Sequence, residues 1–480
     1  VIKRTIGAVA GMCGGTLLND KHADRTIVGI TTDSRRVQPG QLFIPIIGGN
    51  FDGHAFGAKV LEDGAAALLW QSDHPVGEAL ANAPLILVDD TLAALQQLAA
   101  AYREELNLRV IGITGSNGKT TTKDMVASVL SGFFRVHKTE GNLNNHIGLP
   151  LTVLQLDETV EVVVLEMGMS GFGEIELLTG IGQPDIAIIT NIGDAHMLQL
   201  GSREGIAKAK LEIASGLRAG GLLLINGDEP LLRSGIQDLK IDRAIDIQTF
   251  GLQEGSDWTA INLEGDALSA SFDVEQDDQL SQLKLPVPGH HNVSNALAAI
   301  GAAKRLGVPA AQIRAGFNGL RLTGMRIEPL RAYNGAMLLN DAYNANPTAV
   351  RAAVDLVAQL TGYRRRWIVL GDMKELGPQE VQLHEEIGRY ITPAKAEAVV
   401  TFGSLSEHTA SAAQTQFKKD GTDASAHSAN QAEDAAVKAF QNKNELIEWL
   451  RAKVAPEDLV LVKGSRSMRM EEIIHALQRV

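Results

Sequence analysis

At 480 residues the chain is too long for a single hydrophobic core, and length alone points to roughly two to four domains. Acidic side chains outnumber basic ones, 57 to 44, for a formal charge of −13, which argues against a nucleic-acid partner. One cysteine, Cys13, excludes an intrachain disulfide; it fits a reducing compartment and reads as a packing residue. No apolar run approaches the roughly 20 residues of a membrane-spanning helix. The short, glycine-broken stretch 6–12 after Lys3 and Arg4 reads as an opening helix rather than a secretory signal, and the expected location is cytoplasmic.

In chain order, residues 1–107 hold short apolar runs at 66–70 and 85–88, Gly-rich turns between them, and a helical pattern at 92–106. A second block, 108–322, opens with a strand at 109–114 and places further buried strands at 160–165, 186–190 and 222–225, with helices between. That alternation predicts a doubly wound, mostly parallel sheet. Residues 258–287 are polar and short-stranded, an antiparallel patch, and a helix starts near Asn292. The third block, 323–480, alternates strands at 337–340, 367–370, 398–402 and 459–462 with helices at 348–360, 379–390, 432–440 and 468–478. It reads as a small Rossmann-like domain, with residues 407–431 a variable helix and loop.

The most specific local signal is Gly112-Ile-Thr-Gly-Ser-Asn-Gly-Lys-Thr-Thr121, with a strand running in and a helix at 122–130 running out. Glycines let successive N–H groups converge on phosphate oxygens, and the helix N-terminus adds positive potential. Gly115, Ser116, Asn117, Gly118 and Thr121 form the cradle, Lys119 reaches the phosphates and Thr120 offers a hydroxyl to Mg²⁺. The spelling departs from G-x-x-x-x-G-K-[ST], since Ile113 stands where the first Gly would fall. The guanine-reading tetrad N-K-x-D is not evident; Asn442-Lys443-Asn444-Glu445 comes near it but belongs to a charged helix far along the chain.

Phosphoryl transfer needs cations, and cations need ligands. Glu166 ends one predicted strand and His196 follows another, where open parallel sheets gather their ligands. Taken singly, Glu166 also fits a solvated strand end and His196 a structural histidine. Lys208 and Lys210, alternating on a helix, read from chemistry alone as a solvated face.

Together, segments 111–122, 165–169, 190–196 and 207–213 resemble the Mur ligases, three-domain enzymes that form amide bonds with ATP, and the resemblance spans essentially the whole chain. Thr32-Asp-Ser-Arg35 and Gly48-Gly-Asn-Phe-Asp-Gly-His54 are similar to the family's α/β UDP-binding domain. Within the family, Asn340-Asp-Ala-Tyr-Asn-Ala-Asn-Pro347 and Leu370-Gly-Asp-Met-Lys-Glu-Leu-Gly377 look most like the branch that adds D-alanyl-D-alanine to a UDP-N-acetylmuramoyl-tripeptide. The Asp-Asn-Pro-Arg motif of the diaminopimelate- or lysine-adding branch is absent. Folylpolyglutamate synthases share the phosphate loop, but a separate domain ahead of it fits them badly.

The resemblance implies ATP and two Mg²⁺ ions, with Thr120, Glu166 and His196 as ligands and Lys210 carbamylated by CO₂; Lys208, one step away, is the alternative. Asn292 and Asn295 would face the adenine, and Arg326 and Asp341 the phosphate and ribose. Asp33, Ser34, Arg35, Asn50, Asn142, Asn144 and Asn145 would face the UDP-sugar, and Tyr343, Asn344, Asn346, Pro347, Lys463 and Arg466 the dipeptide. Local alternatives stand beside these: a simple turn for Asn142, Asn144 and Asn145, a helix cap for Asn292, and surface charge for Lys463 and Arg466. The chain is expected to act as a monomer, with a hinge at 320–324 that lets the third block close. Two other readings remain: a family member with a different amino-acid substrate, and a nucleotide-driven switch. The second metal implied by Glu166, His196 and the lysines argues against the switch.

Overall fold

The computed structural model describes residues 1–49, 51–194, 196–266, 268–421 and 436–479. Three main sheets follow one another along the chain, as an α/β, three-domain fold requires. The first has five short strands and is parallel from Ile30–Thr31 through Leu42–Phe43 and Ala67–Gln71 to Leu85–Val88, with Thr16–Leu17 antiparallel at its edge. The expected opening helix is Ile6–Met12, capped by the Thr5 side chain.

The central sheet has nine strands. Arg109–Thr114 lies between Val162–Glu166 and Ile186–Ile189, and Leu222–Asn226 and Asp246–Gly251 extend it in parallel. Trp258–Gly265, Ala270–Val274 and Leu283–Leu285 form the antiparallel patch anticipated for that stretch. The sheet is buried on both faces, and residue parity decides which. Val110, Val163, Leu165, Ala187 and Ile189 pack into one core, while Ile111, Ile113, Val162, Val164 and Ile188 pack into another. The first of these cores runs without a break into the N-terminal domain, through Ile2, Ile6, Leu95 and Leu98.

The C-terminal sheet orders its strands Glu328–Arg331, Met337–Asp341, Leu459–Lys463, Arg366–Gly371, Ala398–Phe402 and Val437–Phe440, and all but the first pair are parallel. Its two cores contain only residues from 327 onward. The N-terminal and central domains therefore share apolar packing, whereas the C-terminal domain has buried cores of its own.

Two expectations need correction. The helix read at 432–440 is, in its described part, an edge strand, Val437–Phe440, paired with Ala398–Phe402; sheet pairing overrides the alanine-rich helix signal. Residues 432–435, and 422–431 of the expected variable loop, lie outside the described residues. The phosphate-loop helix begins at Lys119, three residues earlier than its apolar pattern indicated, and the strand Asp246–Gly251 was not anticipated.

Candidate active site

The Gly-rich loop leaves the C-terminal end of Arg109–Thr114 and enters the helix Lys119–Leu130, the crevice position for ligands of an open parallel sheet. Two glycines make the path possible. Gly115 has φ +147° and a side chain there would stand 1.8 Å from Thr190 Oγ1; Gly118, at φ +79°, lies against Asn295. The Ser116 and Asn117 amides donate to Asn191, which braces the loop, while the first turn of the helix keeps its N–H groups unpaired toward the crevice. Lys119 Nζ donates to Gly115 O at 2.8 Å. Although Lys119 keeps some surface in the crevice, the dense protein around it lowers its pKa, with Glu166 opposing and Arg326 adding to the shift.

Glu166 ends its strand in register with Ile113, so its carboxylate sits beside the loop. Oε1 accepts from Asn144 Nδ2 at 2.8 Å, while Oε2 is buried without a hydrogen-bond partner, 4.0 Å from Lys123 Nζ. His196 follows the neighbouring strand in the left-handed region, φ +64°. Burial, then Lys119 and Lys210, hold its imidazole neutral, with a pKa of about 4. Its Nδ1 is also buried and unpaired, 3.4 Å from the Glu375 carboxylate without hydrogen-bond geometry. A buried orphan carboxylate oxygen and a neutral orphan imidazole nitrogen beside a phosphate loop are a donor set that fits a divalent cation.

The structure separates the two lysines. Lys208 faces outward, whereas Lys210 is 2% exposed on the inner face of the helix Arg203–Leu211. Burial and the Lys119 charge push the Lys210 pKa well below its ordinary value. A neutral amine is the form that attacks CO₂, so the environment that makes an ammonium costly favours carbamylation.

Helix His290–Arg305 and the C-terminal domain close the other side of a cavity of about 540 Å³. Asn292 is not the helix cap: Gly289 is, and Asn292 is buried one turn in, donating to Pro288 O at 2.7 Å. Asn295 packs on Gly118 beside it. Arg326 Nη2 donates to Thr120 Oγ1 across the domain boundary at 3.1 Å, and its guanidinium lies 3.9 Å from the Tyr343 ring centroid. Lys463 is buried rather than surface charge; it pairs with Asp341 at 2.5 Å and donates to the Asn344 carbonyl at 3.0 Å. Asn346 caps the helix Pro347–Gln359 and exchanges hydrogen bonds with Asn117.

Other predicted residues lie elsewhere. Asp33, Ser34 and Arg35 stand in the turn after Ile30–Thr31, with Arg35 bound bidentately to Asp33, and Asn142 is on an exposed turn; none lines the cavity. Asn145 reaches the cavity, and its Oδ1 accepts from Ile147 N and Gly148 N. Arg466 is half exposed and pairs with Glu471 at 2.8 Å. Asn50 lies outside the described residues. In the neighbouring motif, His54 Nε2 accepts from Gln71 N and its Nδ1 sits 2.7 Å from Asp52, while His74 bridges Asp73 and Asp52. Every ring nitrogen in this cluster is already hydrogen-bonded, so it reads as a clasp between two loops.

Sequence reasoning missed four contributors: Lys123 beside Glu166, Asn191 bracing the loop, His291 on the cavity wall and Glu375 facing His196. All four lie within or beside segments singled out above, His291 directly before Asn292, but their roles depend on which strand ends become neighbours.

Family models match along the chain: "Mur ligase family, catalytic domain" at residues 26–103, "Mur ligase middle domain" at 113–303 and "Mur ligase, glutamate ligase domain" at 325–466. The chain is 44% identical over 477 residues to the UDP-N-acetylmuramoyl-tripeptide–D-alanyl-D-alanine ligase of Bacillus subtilis (strain 168), with 99% of each chain covered. Among solved structures, MurF from Acinetobacter baumannii superposes with a TM-score of 0.86 at 31% identity, covering 100% of this chain and 99% of that one. MurF ligase from Thermotoga maritima in complex with ADP gives 0.80 at 27% identity, covering 94% and 97%.

Proposed function

The chain belongs to the Mur ligase family, and from that premise we propose that it joins D-alanyl-D-alanine to a UDP-N-acetylmuramoyl-tripeptide at the expense of ATP, giving ADP and phosphate in peptidoglycan precursor synthesis. The observation that carries the chemistry is that Lys119 and Thr120 open the helix after the strand Arg109–Thr114, Glu166 ends the strand on one side of it, His196 follows the strand on the other, and Lys210 is buried within range of the Lys119 charge. The substrates follow from the near full-length relative. The enzyme works as a monomer in the cytoplasm; no helix among the described residues is long and apolar enough to cross a membrane.

In this reading ATP lies on the phosphate loop, and the tripeptide carboxylate attacks the γ-phosphate to give an acyl phosphate. The dipeptide amine then attacks the acyl carbon, and phosphate leaves. Two anions must meet in the first step, so Lys119 sits where it neutralises phosphate charge. Thr120, Glu166, His196 and carbamylated Lys210 would hold Mg²⁺, which supplies the remaining positive charge. Carbamylation turns a repelling amine into an oxygen ligand suited to that hard cation. Residues 1–107 hold the UDP-sugar, 108–322 the nucleotide, and 323–480 complete the ATP site and receive the dipeptide. Closure of the third domain over the crevice excludes water, which strengthens each charge interaction and protects the acyl phosphate.

The test is phosphate release with ATP, Mg²⁺, UDP-N-acetylmuramoyl-tripeptide and D-alanyl-D-alanine, each omitted in turn, with product mass read in parallel. Release that needs all four, with a product heavier by one dehydrated dipeptide, is the expected result. Release indifferent to the dipeptide, or extension by a single amino acid, overturns it.

A further inference from the structure

The C-terminal domain meets the phosphate loop through a matched pair of side-chain amides. Asn346 Nδ2 donates to Asn117 Oδ1 at 2.7 Å, and Asn117 Nδ2 donates to Asn346 Oδ1 at 3.3 Å. Both amides are oriented from behind. Asn346 Oδ1 also accepts from Ala349 N at 2.9 Å as the cap of Pro347–Gln359, so its oxygen is committed to the helix end and its NH₂ must face Asn117. The Asn117 backbone is fixed at both polar atoms: its N–H donates to Asn191 Oδ1 at 2.9 Å, and its carbonyl accepts from Thr190 Oγ1 at 2.5 Å. Two residues past Asn346, Thr348 Oγ1 donates to Asp194 Oδ2 at 2.8 Å. Gly193 lies in the gap between these contacts. A Cβ there would stand 2.9 Å from Asn117 Nδ2 and 3.1 Å from Thr348 Oγ1.

The setting gives these contacts weight. The C-terminal domain shares no apolar core with the central one, so a few polar bonds must register it. Asn117 lies two residues before Lys119, so the pair ties the third domain directly to the phosphate cradle.

We propose that the Asn117–Asn346 pair, with the clearance provided by Gly193, is the latch that registers the C-terminal domain on the phosphate loop. Asn117 and Asn346 are thus positioning residues for the transfer step. The proposal rests on the ligase reading. It also assigns Asn346 a role other than the dipeptide contact that the family resemblance implied.

The test is a double-variant cycle with Asn117→Ser and Asn346→Thr. Thr keeps a capping oxygen at the helix start but is too short to reach the loop. Each single change is expected to lower kcat by about tenfold and leave the KM for ATP within about threefold, because the cradle amides and Lys119 are intact. The double variant is expected to lose no more than about twofold beyond the worse single one, since both remove the same contact. Gly193→Ala is expected to reproduce the loss in the wild type and add little to Asn117→Ser. Spin labels on exposed Glu254 and Glu448, made practicable by the single buried Cys13, report the interdomain distance with a non-hydrolysable ATP analogue bound. A distribution that is narrow in the wild type and broad in either variant supports the latch. Losses that multiply in the double variant, unchanged kcat, an unchanged distance distribution, or loss of analogue binding in the single variants overturns it. Wild-type protein that fails the four-component assay refutes the ligase reading instead, and the distance measurement still tests the latch.

Discussion

Replacing Lys210 by Met separates stability from activity in a way an ordinary core residue would not. The side chain is 2% exposed and shares its surroundings with Lys119 and His196, so the amine is desolvated and repelled. Met keeps the length and apolar stem and removes the polar end. Relieving one poorly solvated polar group contributes roughly 1–2 kcal/mol. For a domain of this size that is an upward shift in Tm of about 2–8 °C, measured in metal-free, CO₂-depleted buffer at pH 7. Turnover in the four-component assay should fall by about a hundredfold or more, because the proposed function assigns Lys210 a carbamate ligand for the cation. Lys208→Met, on the outward face of the same helix, should change neither quantity. The reasoning is refuted if Lys210→Met lowers Tm by more than about 4 °C, which would make the lysine a packing residue, or if turnover stays within about threefold of wild type.

Three further outcomes follow from particular contacts. Gly115→Ala places a methyl group 1.8 Å from Thr190 Oγ1, the hydroxyl that also donates to the Asn117 carbonyl, so the loop should lose nucleotide binding, as titration with a fluorescent ATP analogue will show. His291, half-buried on the cavity wall and held at a pKa of about 4 against 6.5 when unfolded, binds its proton in the unfolded chain first. Stability therefore falls as pH drops from 6.5 toward 4, by about 3 kcal/mol from this residue, and His291→Gln should flatten urea-unfolding stability across that window and not above it. Arg103, 1% exposed, donates to the Gly182 and Gln183 carbonyls at 2.8 and 3.0 Å and so joins the N-terminal domain to the end of a central helix. Arg103→Ala should cost about 2–4 kcal/mol in urea unfolding, and a loss below about 1 kcal/mol would show that the bonds are dispensable.

Much of this molecule is written in local sequence. The apolar runs at 109–114, 186–190 and 222–225 are strands within a residue of their expected ends, because a strand buried on both faces needs uninterrupted apolar residues whatever its neighbours are. The phosphate loop was legible for a similar reason: its glycines, lysine and threonine act within ten residues, through geometry the chain makes for itself. Strand order, face and domain docking are different, because they depend on residues far apart in sequence. Lys208 and Lys210 are equivalent as text, and only the packing of their helix turns one outward and buries the other. Lys463 and Arg466 looked alike near one strand end, yet one is sealed against Asp341 while the other stays at the surface. The 437–440 segment lost its helical reading to an edge it could pair with, and Asn346 turned toward the phosphate loop once a partner 229 positions away stood opposite it. Composition and periodicity specify what a segment can bury; which charges and amides then face one another is decided when the domains meet, since burial and hydrogen-bond pairing are properties of the assembled surfaces.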